Sequence, residues 1–314
     1  MPLIALADIA SVLRCPRCGS ALSVAGGATG CANSDCGKRF PTSRGLPALI
    51  DFDRSVLQEG DLSGETGVLK RNPPRPLVTF VRRHLMPFNE RAARNADRFL
   101  AELRKQAAKP LILVVGGGAI GSGAEALYSE PDVRLVAFDL YGSENVQLIA
   151  DAHHMPFADG FFDGVWIQAV LEHVLEPQLV VDEIRRVLRD GGLIYAETPF
   201  LQAVHEGPYD FTRFTDSGHR WLFRRFELID SGAVLGPFAQ LLWSINQSAR
   251  ALFRSAKAGL AAQLLFFWLK YFDRLVPDSE ARDGASALFL LARKSDSSIS
   301  PHDAVLYYRG AQRK

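Results

Sequence analysis

Leu111-Ile-Leu-Val-Val115 runs without a break into Gly116-Gly-Gly-Ala-Ile-Gly121, and this junction restricts the fold more than any other stretch of the chain. Five consecutive apolar residues without polar alternation read as a strand buried on both faces, the situation of a parallel sheet. Glycines directly after it let the backbone turn tightly and let a ligand approach the main chain without meeting a Cβ. Strand-like runs then alternate with helical ones: residues 133–138, 164–169, a helix at about 178–188, and 193–198. That alternation predicts an α/β fold, a parallel sheet with helices on both faces. Residues 226–231 and 285–292 read as two more strands forming an antiparallel edge. Apolar residues make up 47% of the chain and charged residues 23%, enough for a full core.

Upstream, residues 77–108 read as a helix. Phe88, Ala92, Ala96, Phe99 and Leu103 recur at three- and four-residue steps, opposed by Arg91, Arg94, Arg98 and Arg104, and Pro110 stops the pattern. Residues 53–76 are polar, carry the run Pro73-Pro74-Arg75-Pro76, and read as a linker. Before them stand the chain's four cysteines, Cys15-Pro-Arg-Cys18 and Cys31-Ala-Asn-Ser-Asp-Cys36. Two close pairs separated by a Gly-rich stretch are what a tetrahedral structural zinc ion requires. Disulfides are the alternative. Residues 1–14 contain Asp8 and lack a basic start or long apolar core, so no secretory leader is read there and reduced thiolates are expected.

The glycine loop alone is ambiguous. Gly116, Gly118 and Gly121 satisfy both the dinucleotide fingerprint and the looser loop of methyltransferases. Asp139 ends the second strand where an acidic residue accepts hydrogen bonds from ribose hydroxyls, which points to a nucleoside-bearing cofactor. Further on come Asp151-Ala-His-His-Met-Pro-Phe157, Phe162-Asp-Gly-Val165, Gln168-Ala-Val-Leu-Glu-His173, Arg189-Asp-Gly-Gly192 and Thr198-Pro199. This ordered set, over residues 110–235, resembles the class I S-adenosylmethionine-dependent methyltransferases. The resemblance implies a doubly wound Rossmann-like sheet and S-adenosylmethionine as cofactor. It implies that Asp151 and Ala152 lie against adenine, that Gln168 belongs to the cofactor side, and that the methionyl end lies over Gly116–Gly118. Leu171-Glu172-His173 would begin the helix after the fourth strand. The family commonly has an acidic residue two places before the first glycine; this chain has Val114.

Cys15-Pro-x-Cys18-x-x-x-Leu22, the second cysteine pair, Phe40-Pro41 and Gly45-Leu-Pro-Ala-Leu-Ile50 resemble the zinc ribbon named after a tRNA-methyltransferase activator subunit, over residues 12–52. The expected organisation is a zinc ribbon at 1–52, a linker at 53–76, a methyltransferase domain at 77–295 with a helical insertion at 240–280, and a tail at 296–314. In the ribbon's fused forms substrates vary. Lys+Arg at 36 against Asp+Glu at 35 gives no electrostatic footprint for nucleic acid. The expected acceptor is a small molecule or a glycan- or lipid-linked group.

Acceptor chemistry should come from the carboxyl ends of the strands. After strand five stands His205-Glu-Gly-Pro-Tyr-Asp210-Phe-Thr-Arg213. The catalytic candidates are His205 as general base, Tyr209, and His173 near the expected methyl position. Tyr209 and Arg213 would orient the acceptor, and Asp210 with Arg213 can equally form a local ion pair. Ala249, Phe253, Ala256, Leu260, Leu264, Phe267, Tyr271 and Leu275 trace an apolar helical stripe beside Arg250, Arg254, Lys257, Lys270 and Arg274. Such a segment, 240–276, can pack as a lid or lie on an anionic membrane surface. The chain reads as cytoplasmic, and peripheral to membranes if that segment engages them. The methyltransferase reading has two competitors: a nicotinamide-dependent oxidoreductase, and a non-catalytic scaffold working through its ribbon.

Overall fold

The computed structural model describes residues 2–25, 28–63 and 90–313. Residues 64–89 lie outside it, and with them Phe88, most of the linker and the first part of the 77–108 helix. Near the N-terminus, β1 (Leu22–Ala25), β2 (Ala28–Cys31) and β3 (Arg39–Phe40) form a small antiparallel sheet. A hairpin, β4 (Thr42–Ser43) and β5 (Leu46–Leu49), leaves it and joins the large sheet.

That sheet is built on the apolar runs. Strands β6 (Leu111–Val115), β7 (Arg134–Asp139), β8 (Leu148–Ala150) and β9 (Phe162–Gln168) are parallel neighbours, as is β10 (Leu188–Pro199) to β9. β12 (Ala287–Lys294) runs antiparallel to β10, and β11 (Phe226–Leu235) antiparallel to β12. The full order is β11-β12-β10-β9-β6-β7-β8-β5-β4. All five residues of β6 are buried, because helices or chain segments cover both faces. One face packs against α1 (Glu90–Arg104) through Ala92, Ala96, Phe99 and Leu103, with Phe99 edge-on to Trp166. The other carries α3 (Pro177–Val187), the N-terminal 3-10 turn Leu6–Val12 and Phe157. The fold class is therefore mixed α/β with a large, mainly parallel sheet.

The glycine loop leads into the short helix α2 (Glu125–Ser129). Two sequence expectations change. Leu171–His173 is a separate 3-10 turn, because Pro177 opens the following helix later. The apolar stripe of 240–276 is no single face: α5 (Pro237–Phe253) ends at Arg254 in a left-handed conformation (φ 48°), and Ser255 caps α6 (Ala256–Leu265). Gly259 lets α6 fold back tightly, since a Cβ there would stand 2.8 Å from the Asn246 carbonyl oxygen. A further 3-10 stretch, Phe267–Leu275, returns to the start of α5, where the Asp273 carboxylate accepts from the Phe238 and Ala239 N–H groups (2.8 and 3.0 Å).

Helix α4 (Asp216–Leu222), capped by Thr215, buries His219 between Phe214 and Phe223. Complete burial pushes its imidazole pKa down to about 3. Between pH 6.5 and about 3 the unfolded chain binds a proton there that the folded chain refuses, so stability falls as pH drops through that window. Urea denaturation should therefore show His219→Phe losing about 2 kcal/mol less than the parent between pH 7 and pH 5. Equal losses in the two proteins would contradict the assignment.

Candidate functional site

The glycine loop lies where β6 ends. Gly116 has φ 75°, and a Cβ there would stand 2.2 Å from the Val170 methyl; at Gly118 it would stand 2.4 Å from the Tyr141 ring. The loop is thus a surface on which side chains lie directly against main chain. Asp139, at the end of β7, closes it from one side: its Oδ2 accepts from the Gly118 N–H (2.8 Å) and its Oδ1 from the Leu140 N–H (2.7 Å). Tyr141, two residues further on, went unnoticed in the sequence.

Gln168 ends β9 beside Gly121, and its amide donates to the Ser122 carbonyl (3.1 Å) and to Glu197 Oε2 (3.2 Å). Glu197 also accepts from the Tyr195 hydroxyl (2.9 Å). Val114, Trp166 and Tyr195 share the face packed by α1, and strand alternation puts Gly116, Gln168 and Glu197 one step further along that face. The apolar Val114 thus belongs to the core, while a buried carboxylate stands two strands away, in Glu197. On the far side, Asp151 is buried with both oxygens engaged: Oδ2 by the Ser55 hydroxyl (2.5 Å), Oδ1 by the N–H and Nδ1 of His153 (3.0 and 2.6 Å). Burial alone would raise its pKa; the His153 and Ser55 hydrogen bonds outweigh that and lower it. Ser55 reaches this point because Leu57, with Phe52, Val56 and Leu62 around it, packs with Ile50 and with Ile149 of β8. Ala152 follows Asp151 in the buried turn Ala152–His154.

The turn Leu171–His173 and the loop after β10 meet. Their rings His173 and His205 are edge to face at 4.9 Å, and Glu172 Oε1 lies 3.6 and 3.8 Å from their Nε2 atoms. Glu172 is 1% exposed, and neither carboxylate oxygen has a hydrogen-bond partner. Burial pushes its carboxyl up to about 8 and lowers the His173 imidazole. His173 Nδ1 donates to the Tyr209 carbonyl (2.7 Å), so Tyr209 contributes here through its backbone. Arg213 chelates Asp210 and also donates to the Gln202 and Thr212 carbonyls (3.0 and 2.8 Å), while Asp210 accepts from the His205 N–H (2.9 Å). These two charged groups are engaged with the loop itself. The Arg213 hydrogen bond holds the Asp210 carboxyl well below the usual carboxylate range. Trp243 of α5 stands 6.5 Å from His205, so the helical insertion borders the same cluster.

The four cysteine sulfurs converge separately. Cys15 and Cys36 Sγ are 3.9 Å apart, Cys18 and Cys31 Sγ 3.4 Å, and all four lie within 4.8 Å of one another. Zinc–sulfur bonds of about 2.3 Å in a tetrahedron put sulfurs ~3.8 Å apart. The donor set fits zinc, and the thiols are free rather than paired as disulfides.

Residues 118–196 match a family model described as a methyltransferase domain. The matched segment is about a quarter of the chain. It contains Gly118, Asp139, Asp151, Gln168, Glu172 and His173. Among curated proteins, the chain is similar to a demethylmenaquinone methyltransferase of Clavibacter sepedonicus, 38% identical over 96 residues, covering 28% of this chain and 39% of that protein. It is also similar to a malonyl-[acyl-carrier protein] O-methyltransferase of Herminiimonas arsenicoxydans, 31% identical over 107 residues, covering 31% and 41%. The matches thus span about two fifths of each relative. A solved structure of Haemonchus contortus phosphoethanolamine N-methyltransferase 2 with S-adenosyl-L-methionine aligns at 18% identity and TM-score 0.42, covering 63% of this chain and 52% of that one.

Proposed function

We propose that the protein transfers a methyl group from S-adenosylmethionine to oxygen or nitrogen of a small-molecule or glycan- or lipid-linked acceptor. The observation that carries this reading is the Asp139 carboxylate, held at the Gly118 N–H within a matched methyltransferase domain. Bound S-adenosylmethionine supplies an electrophilic methyl on its sulfonium sulfur. The chain's tasks are to hold that molecule, align the acceptor and accept its proton. A carboxylate has about four lone-pair directions, so ribose hydroxyls can add to the two N–H groups already on Asp139. The Gly116–Gly118 backbone suits the methionyl end, Asp151 and Ala152 the adenine side, and Gln168 with Glu197 the ammonium group that Val114 cannot meet. Glu172, His173 and His205 line the acceptor side, and the four cysteines would hold a structural zinc ion.

The nicotinamide alternative shares the glycine loop and Asp139, and is separated by binding. S-adenosylhomocysteine should displace no NADH, because NADH fluorescence should show no complex at all. Saturable NADH binding in place of S-adenosylhomocysteine binding would reverse the two readings.

A lipid-linked acceptor draws support from the insertion. Leu252 and Leu275 are 77% and 76% exposed, with Phe253, Leu265 and Trp268 also exposed near Arg254, Lys257 and Lys270. No described helix is long and apolar enough to cross a membrane. Vesicles of phosphatidylcholine with phosphatidylglycerol should cosediment the protein at low salt. Replacing Arg254 and Lys257 by Glu should weaken this by about 10-fold or more, at ~1 kcal/mol for each basic residue removed. Equal recovery with and without anionic lipid would remove the membrane reading.

A further inference from the structure

The cluster on the acceptor side contains more than two histidines. Glu172 is a carboxylate 1% exposed whose oxygens have no hydrogen-bond partner. A buried polar group left in that state is costly, and native structures seldom tolerate it without a reason. Its Oε1 faces His173 Nε2 at 3.6 Å and His205 Nε2 at 3.8 Å, too far for hydrogen bonds from either ring.

The opposite nitrogens explain what the rings present. His173 Nδ1 is 2.7 Å from the Tyr209 carbonyl. His205 Nδ1 is 3.3 Å from the Ala203 carbonyl and 3.4 Å from Asp210 Oδ2. Acceptors at both Nδ1 positions fix the proton there and turn the Nε2 lone pairs toward Glu172. Two ring nitrogens and a carboxyl oxygen then converge with no hydrogen bond among them, a donor set that a cation would complete. All three donor atoms lie within 4.8 Å of one another. Bonds of about 2.1 Å from one ion, at tetrahedral angles, put donors ~3.4 Å apart, so the two separations from Glu172 Oε1, 3.6 and 3.8 Å, need to contract by a few tenths of an ångström.

We propose that Glu172, His173 and His205 bind a divalent first-row transition-metal ion, with Tyr209, Ala203 and Asp210 orienting the two imidazoles. Two imidazoles and a carboxylate suit zinc, iron, cobalt, nickel or manganese, and three protein ligands leave coordination positions open. His205 is partly exposed and its ring stands 6.5 Å from that of Trp243, so the site borders the insertion. On the methyl-transfer reading, an acceptor oxygen or nitrogen bound there would be held near the glycine loop, and its proton would leave more readily. The ion site itself does not depend on that reading.

Cobalt(II) is the probe. Full-length protein with its cysteine site filled with zinc is titrated with cobalt(II) without any adenosyl ligand, followed by calorimetry and visible absorption. One equivalent should bind, with weak d–d bands and no sulfur-to-metal charge-transfer band. Glu172→Gln and His205→Ala should each weaken binding at least 10-fold, while His302→Ala on the exposed helix Pro301–Leu306 should leave it unchanged. Glu172→Gln keeps the shape of the side chain, and an unaltered melting temperature shows it folded; His205→Ala lies on a loop and serves if it does not. No bound equivalent, a thiolate charge-transfer band, or unchanged affinity in a folded Glu172→Gln or His205→Ala would each overturn the assignment. S-adenosylhomocysteine binding is measured separately, so the cofactor reading and the metal site can fail independently.

Discussion

Asp139→Ala should lower S-adenosylhomocysteine affinity about 100-fold, the loss of two charge-assisted hydrogen bonds at ~1.5 kcal/mol each. The same substitution removes the acceptor for the Gly118 and Leu140 N–H groups. It therefore loosens the loop as well as the ribose contact, and the enthalpy of binding should fall along with the affinity. Asp139→Asn keeps one acceptor oxygen and should fall between the two. Calorimetry of the three proteins checks this order. Affinity unchanged in Asp139→Ala would mean that no nucleoside lies at the end of β7.

Replacing Cys18 and Cys31 by serine should abolish the zinc released by blocking the thiols with a mercurial, and should lower the melting temperature by more than about 10 °C. Zinc contributes on the order of 10 kcal/mol to folding a thiolate site. Here that site is tied into the main core, because Cys15 packs with Ile9, Leu13, Phe40 and Phe157. The chain leaving it supplies β5 and then Ser55, which bonds Asp151. Loss of the ion should therefore also weaken S-adenosylhomocysteine binding, although the cysteines are no part of the glycine loop. A zinc-free variant with unchanged melting and binding would show that the cysteine cluster is independent of the fold around it.

What was legible in the sequence followed from local pattern. Leu111–Val115 announced a buried parallel strand because burial on both faces leaves no polar alternation, and the apolar run that opens β12 was visible for a similar reason. β8 is three residues long, and β5 finds its parallel partner about a hundred residues away, so neither has a local signature. The break at Arg254 is invisible because no Gly or Pro marks it. At the site, Gly116, Gly118, Asp139 and His173 could be picked out by type and spacing. Glu172 could not: a glutamate beside a turn reads as solvated, and its burial arises when the loop carrying His205 closes over it. The Phe211 N–H, which donates to the Glu172 carbonyl (2.8 Å), helps bring that loop down. Ser55 and Glu197 were hidden likewise, since their partners Asp151 and Gln168 are distant in sequence.

The most direct measurement is calorimetric titration of the zinc-loaded full-length protein with S-adenosylhomocysteine. The account predicts a single site with micromolar affinity. Absence of binding at millimolar ligand would contradict it, and would make the apolar Val114 and the ring of Tyr141 on Gly118 marks of a methyltransferase fold that serves as a scaffold.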